Sequence, residues 1–506
     1  MTASSARRSP PWVRHLPAGA DPAALDLLAE DSLPAAWHRR WSDDPARPVL
    51  GDGERWLSGD ELEERTGVAA RRLLGAGLEP GDRVVISGAT SLDLAVAHVA
   101  VLRAGLVAVP VNAASREREV AQIVHDCRPA GALVDDPVIA GWVEAASESP
   151  VVTCDVRDID LPLGSPRVLD ACGPDDAAML CYTSGTTGAP KGARLTHGNL
   201  LASPAALALA WRWTPEDRLV LALPLFHVHG LGVGLHGTLL AGASAVLVPR
   251  FSPDAVLDAA RAEDASLFFG VPTMYQRLAR SSRTSELGRL RLCVSGSAPL
   301  APRLFEQLRV DAGVTVLERY GMTETLMTVS NPHDGERRAG TVGFPLPGVE
   351  IDIADDGELR VRGPNVFDGY WERAEVDRLS FIADDDGNAP WFRTGDIVTV
   401  DDDGYLSIIG RARELIISGG FNVFPREVED VLRSVPGVAD VAVVGTPSDE
   451  WGEVVTAVVV ADGPLDADAL LAVAADELAP YKRPRVVRFV DELPRNALGK
   501  VLRHEL

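Results

Sequence analysis

Lysine is almost missing from this chain. Of 49 cationic side chains in 506 residues, 46 are arginine and three are lysine: Lys191, Lys482 and Lys500. Lysine carries a compact ammonium on a flexible stem and reaches single oxygens that the planar arginine fork does not, so each lysine kept in such a background marks a candidate site. Cysteine is scarce as well. Cys127, Cys154, Cys172, Cys181 and Cys293 show neither a paired pattern nor metal-ligand spacing. That excludes a disulfide framework and reads as reduced thiols of a cytoplasmic protein. The stretch Met1 to His15 has three arginines but no apolar core of signal-peptide length, so residues 1–30 read as a disordered tail. The run Val228 to Pro249 lacks any charged residue. Its five glycines, two histidines and terminal proline predict a buried helix followed by a core strand, not a membrane span. Acidic residues outnumber basic ones to a net charge of −24, which excludes a nucleic-acid backbone or an anionic membrane as partner.

What is present is ordinary globular sequence, 46% apolar, in a 53.9 kDa chain that exceeds a single core. Short apolar runs alternate with helical spacing: Asp82–Ile86, Leu106–Val111, Ala132–Val134, Leu219–Ala222, Ala245–Val248, Leu267–Gly270, Leu292–Ser295 and Val314–Arg319 predict strands. Such alternation predicts a large N-terminal domain of parallel-rich α/β sheets, residues 31–410. Ser58 is the expected N-cap of a helix running to Ala76. From about Gly343 the acidic turns Ala354-Asp-Asp-Gly357 and Asp401-Asp-Asp-Gly404 predict hairpins of a β subdomain. Residues 411–506 read as a small, mobile α+β C-terminal domain. The fold class is α/β throughout the large domain.

Lys191 closes the loop Thr183-Ser-Gly-Thr-Thr-Gly-Ala-Pro-Lys191. Gly185 and Gly188 free backbone N–H groups to turn toward an anion, while Thr183, Ser184, Thr186 and Thr187 add hydroxyl donors and Lys191 adds charge. No hydroxyl follows the lysine, so this is a phosphate loop of other than the Walker type. Its plain alternative is a solvated loop after a strand.

These residues resemble the adenylate-forming superfamily of acyl-CoA synthetases, luciferases and peptide-synthetase adenylation domains. Tyr182 to Gly192, Tyr320-Gly-Met-Thr-Glu324, Phe392-Arg-Thr-Gly-Asp396, Gly410-Arg-Ala-Arg-Glu414 and Pro494 to Lys500 match five of its motifs in order. The resemblance implies that ATP and a carboxylate form an acyl-adenylate and pyrophosphate, after which a thiol, coenzyme A, displaces AMP. It implies Lys500 as the bridge between carboxylate and α-phosphate, Glu324 with Thr187 at Mg²⁺, and Thr323 as a phosphate donor. It also implies Asp396 and Arg411 at the ribose, and Ser295, Gly296, Ser297 and Ala298 with Glu318, Tyr320, Gly321 and Met322 around the nucleotide. Gly419 and Gly420 would line the thiol arm of CoA. Arg413 departs from the aspartate or lysine of the family's hinge, and Ile417 stands where lysine is common. Lys482 remains equally readable as a CoA-phosphate contact or a solvated charge.

The acyl end reads from Leu223 to Gly230 and from Glu318 to Met327. A buried cation in an apolar pocket costs several kcal/mol unless an anion completes it. Arg250 and Arg319 therefore suggest a substrate with a second carboxylate, with His227, Ser297 and Met322 as further walls and His227 as a polar gate at the reacting carboxylate. The plain alternatives are a solvated strand-end Arg250, an Arg319 paired with Glu318 or another acid, and a merely packed His227. The pattern is most similar to malonyl-CoA synthetases, implying malonate or methylmalonate. A medium-chain or aryl acid, or loading of a carrier protein, is the competing expectation; the chain otherwise reads as acting on small molecules, with no nucleic acid and no membrane.

Overall fold

Two sheets face each other across a shared layer of helices in the computed structural model, which describes residues 10–30, 32–159, 161–164, 168–183, 190–384, 387, 389–418, 421–448, 451–496 and 499–506. The larger sheet has nine strands, its centre the parallel strands Leu317–Met322, Leu292–Ser295, Leu267–Gly270, Arg218–Leu221 and Ser244–Leu247, adjacent in that order. The smaller has six, built on Arg83–Ser87, Val107–Pro110 and Gly131–Val134, and ends in the antiparallel hairpin Ala177–Thr183 and Lys191–Thr196. Period-two alternation assigns each strand residue to a face. Leu219 and Leu221 enter the core between the sheets, and Val220 joins the cluster behind the larger sheet. The helix Leu92–Arg103 is apolar nearly all round and is buried from Leu94 to Arg103, as a helix between two sheets must be. Phe269 fixes the middle of that core edge-on between Trp211 and Trp213, with centroids 5.3 and 5.2 Å away.

Local signals in the sequence are obeyed. Ser58 and Glu61 form a reciprocal capping box at Gly59–Gly75. The two acidic turns join Glu350–Ile353 to Glu358–Arg362 and Trp391–Val400 to Leu406–Arg411 in an antiparallel subdomain. The uncharged run becomes a wide π-type turn His229–Leu235, the helix His236–Ala241 and the buried strand Ser244–Leu247. Two expectations are corrected. Residues 10–30 are not a featureless tail: Pro11–His15 forms a 3-10 turn whose buried His15 bonds to the Phe344 carbonyl, 3.2 Å. The strand predicted at Val314–Arg319 runs instead over Leu317–Met322, because Gly313 and Val314 still close the preceding helix.

The C-terminal unit is a five-stranded sheet, Phe421–Val423, Ile416–Ser418, Gly452–Ala461 and Val438–Ser448 with Val486–Phe489 beside Gly452–Ala461, packed against the helices Pro425–Arg433 and Ala467–Glu477. Its last loop docks on the large sheet's side: a Cβ on Gly499 would lie 2.8 Å from Thr273 Oγ1. Among the described residues no helix is long and apolar enough to cross a membrane.

Within the shared helical layer His98 Nε2 meets His236 Nε2 at 2.8 Å, beside Trp37. Burial pushes His98 down to about 3 and, with His98 and His197 adding to it, holds His236 well below 6.5. Both imidazoles are thus neutral when folded and gain protons on unfolding below pH 6.5, so stability rises with pH through that window. The melting temperature is expected to fall as pH drops from about 6.5 toward 4, less steeply in H98N/H236N; equal slopes would show that other groups govern acid unfolding.

Candidate active site

Three parallel strands end where the site begins, at the carboxyl edge of the larger sheet. The phosphate hairpin of the smaller sheet faces it through Thr183, which pairs with Lys191 in register. Ser184, Gly185, Thr186 and Thr187 lie outside the described residues, as do Gly419 and Gly420. Glu324 is buried in the turn after Leu317–Met322; its Oε1 accepts from Tyr370 Oη at 2.9 Å and from Thr183 Oγ1 at 3.4 Å. No cationic side chain pairs with Glu324 among the described residues, and no cluster of three ligating side chains forms there. A buried carboxylate with neutral hydroxyl neighbours fits Mg²⁺ held by one protein oxygen and by nucleotide phosphates, rather than by a protein cage. Thr323 is half-buried in the same turn. That turn needs glycine at 321, since a Cβ there would overlap the Leu326 carbonyl oxygen.

On the ribose side Asp396, 2% exposed, accepts from Tyr320 Oη at 2.5 Å and pairs with Arg411 Nε at 2.9 Å. Asp396 and Arg411 are cross-strand partners, which explains how residues from two motifs share one group. Ser295 ends its strand buried, and Ser297 follows in the left-handed region at φ 70°. Ala298 and Met322 are half-buried beside them.

Glu318 and Arg319 are consecutive strand residues and point to opposite faces, so they do not pair. Glu318 accepts from the Leu300 amide at 2.9 Å, and burial raises its carboxyl to about 7 despite Arg426 nearby. Its side chain braces the sheet from behind the pocket. Arg319, 3% exposed, lies on the pocket face, with Nε and Nη2 unbonded among the described residues. Burial pushes it down to about 9, which leaves it charged at neutral pH. The other arginine buried this deeply among the described residues, Arg103, has Asp170 and Glu63 each at 2.8 Å. Arg319 has no such carboxylate among the described residues.

Around Arg319 stand Gly296, Ser297 and His229. A Cβ on Gly296 would come within 2.6 Å of Arg319 Nη1, so glycine is what admits the guanidinium. His229 Nδ1 and Ser297 Oγ are 3.1 Å apart, and His229 Nε2 is buried without a partner among the described residues. Burial first and Arg319 second keep His229 far below its usual range, hence neutral. Sequence reasoning fixed on His227 and missed His229. His227 is half-buried against Phe226, centroids 4.7 Å apart, and burial lowers it to about 4. Nothing in the Leu223–Gly230 segment distinguishes the two histidines, because the hydrogen-bond partner of His229 is 68 residues away.

The expected partnership of Arg250 with Arg319 is corrected. Arg250 is exposed beyond Ser244–Leu247, and no described hydrogen bond or ion pair engages it. That strand lies four places from Leu317–Met322, on the order of 20 Å at the ~4.8 Å spacing of paired strands. Lys500 is brought to the opposite mouth by the tight loop in which Lys500 N donates to Asn496 Oδ1 at 2.9 Å. It keeps accessible surface, yet protein crowding first and Arg411 next push its ammonium down to about 8. Lys482 resolves as an ion pair with Glu427 at 2.5 Å, a bond internal to the C-terminal unit.

Residues 37–371 match the AMP-binding enzyme family, and residues 427–500 match the AMP-binding enzyme C-terminal domain. The chain belongs to this family of adenylate-forming enzymes. It is 37% identical to a feruloyl-CoA synthase of Amycolatopsis over 92% of this chain and 97% of that one. Its fold superposes on ATP-bound MatB of Rhodopseudomonas palustris with a TM-score of 0.87, at 38% identity over 94% and 99% of the two chains. A malonyl-CoA ligase in a product complex with methylmalonyl-CoA and AMP is 41% identical over 89% and 98%, with a TM-score of 0.64. The protein is an AMP-forming acid–CoA ligase.

Gly296→Ala is expected to destabilise the chain by about 1–3 kcal/mol in denaturant unfolding, because Arg319 must leave its buried position. An unchanged midpoint would mean the guanidinium has room to spare.

Proposed function

We propose that the acid activated is a small dicarboxylate, malonate or methylmalonate. The observation that carries this reading is the buried, unpaired guanidinium of Arg319 beside Ser297 and His229. An anion in bidentate contact supplies the missing charge and acceptors, and with Ser297 Oγ donating to Nδ1 the neutral His229 keeps an Nε2–H, unbonded among the described residues, to donate to another of its lone pairs. An aryl or aliphatic monoacid would leave the same guanidinium desolvated and empty. The ligand names among similar proteins support both classes, so charge at the distal end of the pocket is the discriminating feature.

In the first half-reaction the substrate's proximal carboxylate attacks the α-phosphorus of ATP, the bond to pyrophosphate breaks, and negative charge builds on the phosphoryl oxygens. We assign Lys500 the role of neutralising that charge and the attacking carboxylate together; Arg411 and Asp396, on the ribose side, both act on its ammonium, which supports the assignment. Thr183 and Lys191 hold the leaving phosphates, Asp396 with Arg411 holds the ribose, and Ser295 to Ala298 with Tyr320 to Met322 lines the nucleotide. Glu324 would hold Mg²⁺, whose charge screens the phosphates. In the second half-reaction the CoA thiolate attacks the acyl carbon and AMP leaves. We place the boundary between the large and mobile domains near residue 410. The product complex supports a moving C-terminal unit: it is more identical in sequence than ATP-bound MatB but superposes less well.

Arg319→Leu is expected to lower kcat/KM for malonate at least ~100-fold, the ATP KM staying within about threefold and the melting temperature holding or rising once a buried charge is removed. A matching loss with a monocarboxylate would overturn the dicarboxylate reading. Lys500→Ala is expected to abolish acid-dependent ATP–pyrophosphate exchange while thiolysis of supplied malonyl-adenylate persists. In the unaltered enzyme the exchange rate should fall as pH rises through about 8, where the ammonium loses its proton, and the thiolysis rate should lack that limb. Loss of both half-reactions in the variant would make Lys500 structural.

A further inference from the structure

Tyr370 lies outside the motifs that mark the site, in the connection between Glu358–Arg362 and the helix Ala374–Ser380. Its backbone forms a strap across the strand that begins at Lys191. Arg194 N donates to Gly369 O at 3.0 Å, Asp368 N to Arg194 O at 3.1 Å, and Trp371 N to Gly192 O at 2.8 Å. Tyr370 N is itself bonded to Asp377 Oδ1 at 2.9 Å, and Gly369, at φ 117°, makes the close approach to Asp377 that this requires. Phe367 completes the frame. Its ring meets Tyr370 edge-on at 4.8 Å, and its amide donates to the Glu324 carbonyl at 2.8 Å. The phenol is therefore held from both ends of its segment, a rigidity an isolated surface tyrosine lacks.

Two groups meet that phenol. Its hydroxyl donates to Glu324 Oε1 at 2.9 Å, and Lys191 Nζ lies 5.6 Å from the ring centroid, within cation–π range. Thr183 offers the same oxygen a longer bond, 3.4 Å, and Glu324 Oε2 accepts no hydrogen bond among the described residues. One carboxylate oxygen is thus fixed and the other is left for a ligand.

We propose that Tyr370 is a positioning residue for adenylation: it orients Glu324 through Oε1 so that Oε2 serves the cation shared with the ATP phosphates, and its ring steadies Lys191 on the same phosphates. The inference rests on the reading of Glu324 as the metal-binding carboxylate. Groups that orient a metal ligand typically change metal affinity 10–100-fold when lost.

The test is Mn²⁺ binding to the full-length enzyme–ATP complex, followed by the paramagnetic resonance of free Mn²⁺, in the unaltered protein, Tyr370→Phe, Glu324→Gln and the double variant. Tyr370→Phe keeps the ring that packs on Phe367 and is expected to weaken Mn²⁺ at least ~10-fold, with metal-free ATP binding, acid KM and melting temperature unchanged. If Tyr370 acts through Glu324, the double variant binds Mn²⁺ no more weakly than Glu324→Gln alone. Unaltered Mn²⁺ affinity in Tyr370→Phe with a loss in Glu324→Gln overturns the role of Tyr370. Additive losses overturn its action through Glu324. Unaltered affinity in Glu324→Gln removes the metal reading itself, and this proposal with it.

Discussion

The guanidinium of Arg319 is charged, deeply buried and faces no carboxylate among the described residues. Leaving such a group unpaired costs several kcal/mol, which a fold tolerates where a ligand restores the balance. The surroundings are arranged around that cost. Glycine at 296 clears the volume, Ser297 adopts a left-handed backbone to turn its hydroxyl toward His229, and Glu318, the nearest acid in sequence, is sent to the other face by strand alternation. Arg103 shows what the same fold does with a structural arginine: two carboxylates and a threonine hydroxyl surround it.

The reacting end is organised on the opposite principle. In the proposed site its charges come from separate pieces of chain, Lys191 from the smaller sheet, Glu324 from the turn after the larger sheet's strand, and Lys500 from the docked C-terminal loop. Since the chain as a whole carries a charge of −24, polyanionic substrates gain nothing from its mean field, and the proposed site relies on these local cations instead. A cation delivered by a separable domain can also be withdrawn, which suits a site that must admit ATP and then CoA.

Much of the frame was legible because its signals are local. The Ser58 N-cap, the Asp-Asp-Gly hairpin turns and the apolar strand runs each lie within a few residues, and all but the shifted Val314–Arg319 run appear in the structure. The motif residues Asp396, Arg411 and Tyr320 were named from sequence, and the structure bonds Asp396 to both of the others. What was not legible depends on long-range placement. Arg250 and Arg319 read alike, and only strand order separates an exposed strand end from a buried pocket wall. His229 was passed over for His227 because Ser297 is distant in sequence, and Tyr370 carries no local mark of its contact with Glu324, 46 residues away. Residues 10–30 looked like a tail because the burial of His15 depends on Phe344.

The most direct measurement of the central claim uses the unaltered enzyme and two acids of nearly equal size: acid-dependent ATP–pyrophosphate exchange with malonate and with its monomethyl ester, which keeps the reacting carboxylate and removes the second charge. A site built on the unpaired Arg319 predicts that malonate is preferred in kcat/KM by at least ~100-fold, since the ester leaves the buried donors without an anion. Equal or better use of the ester would contradict it.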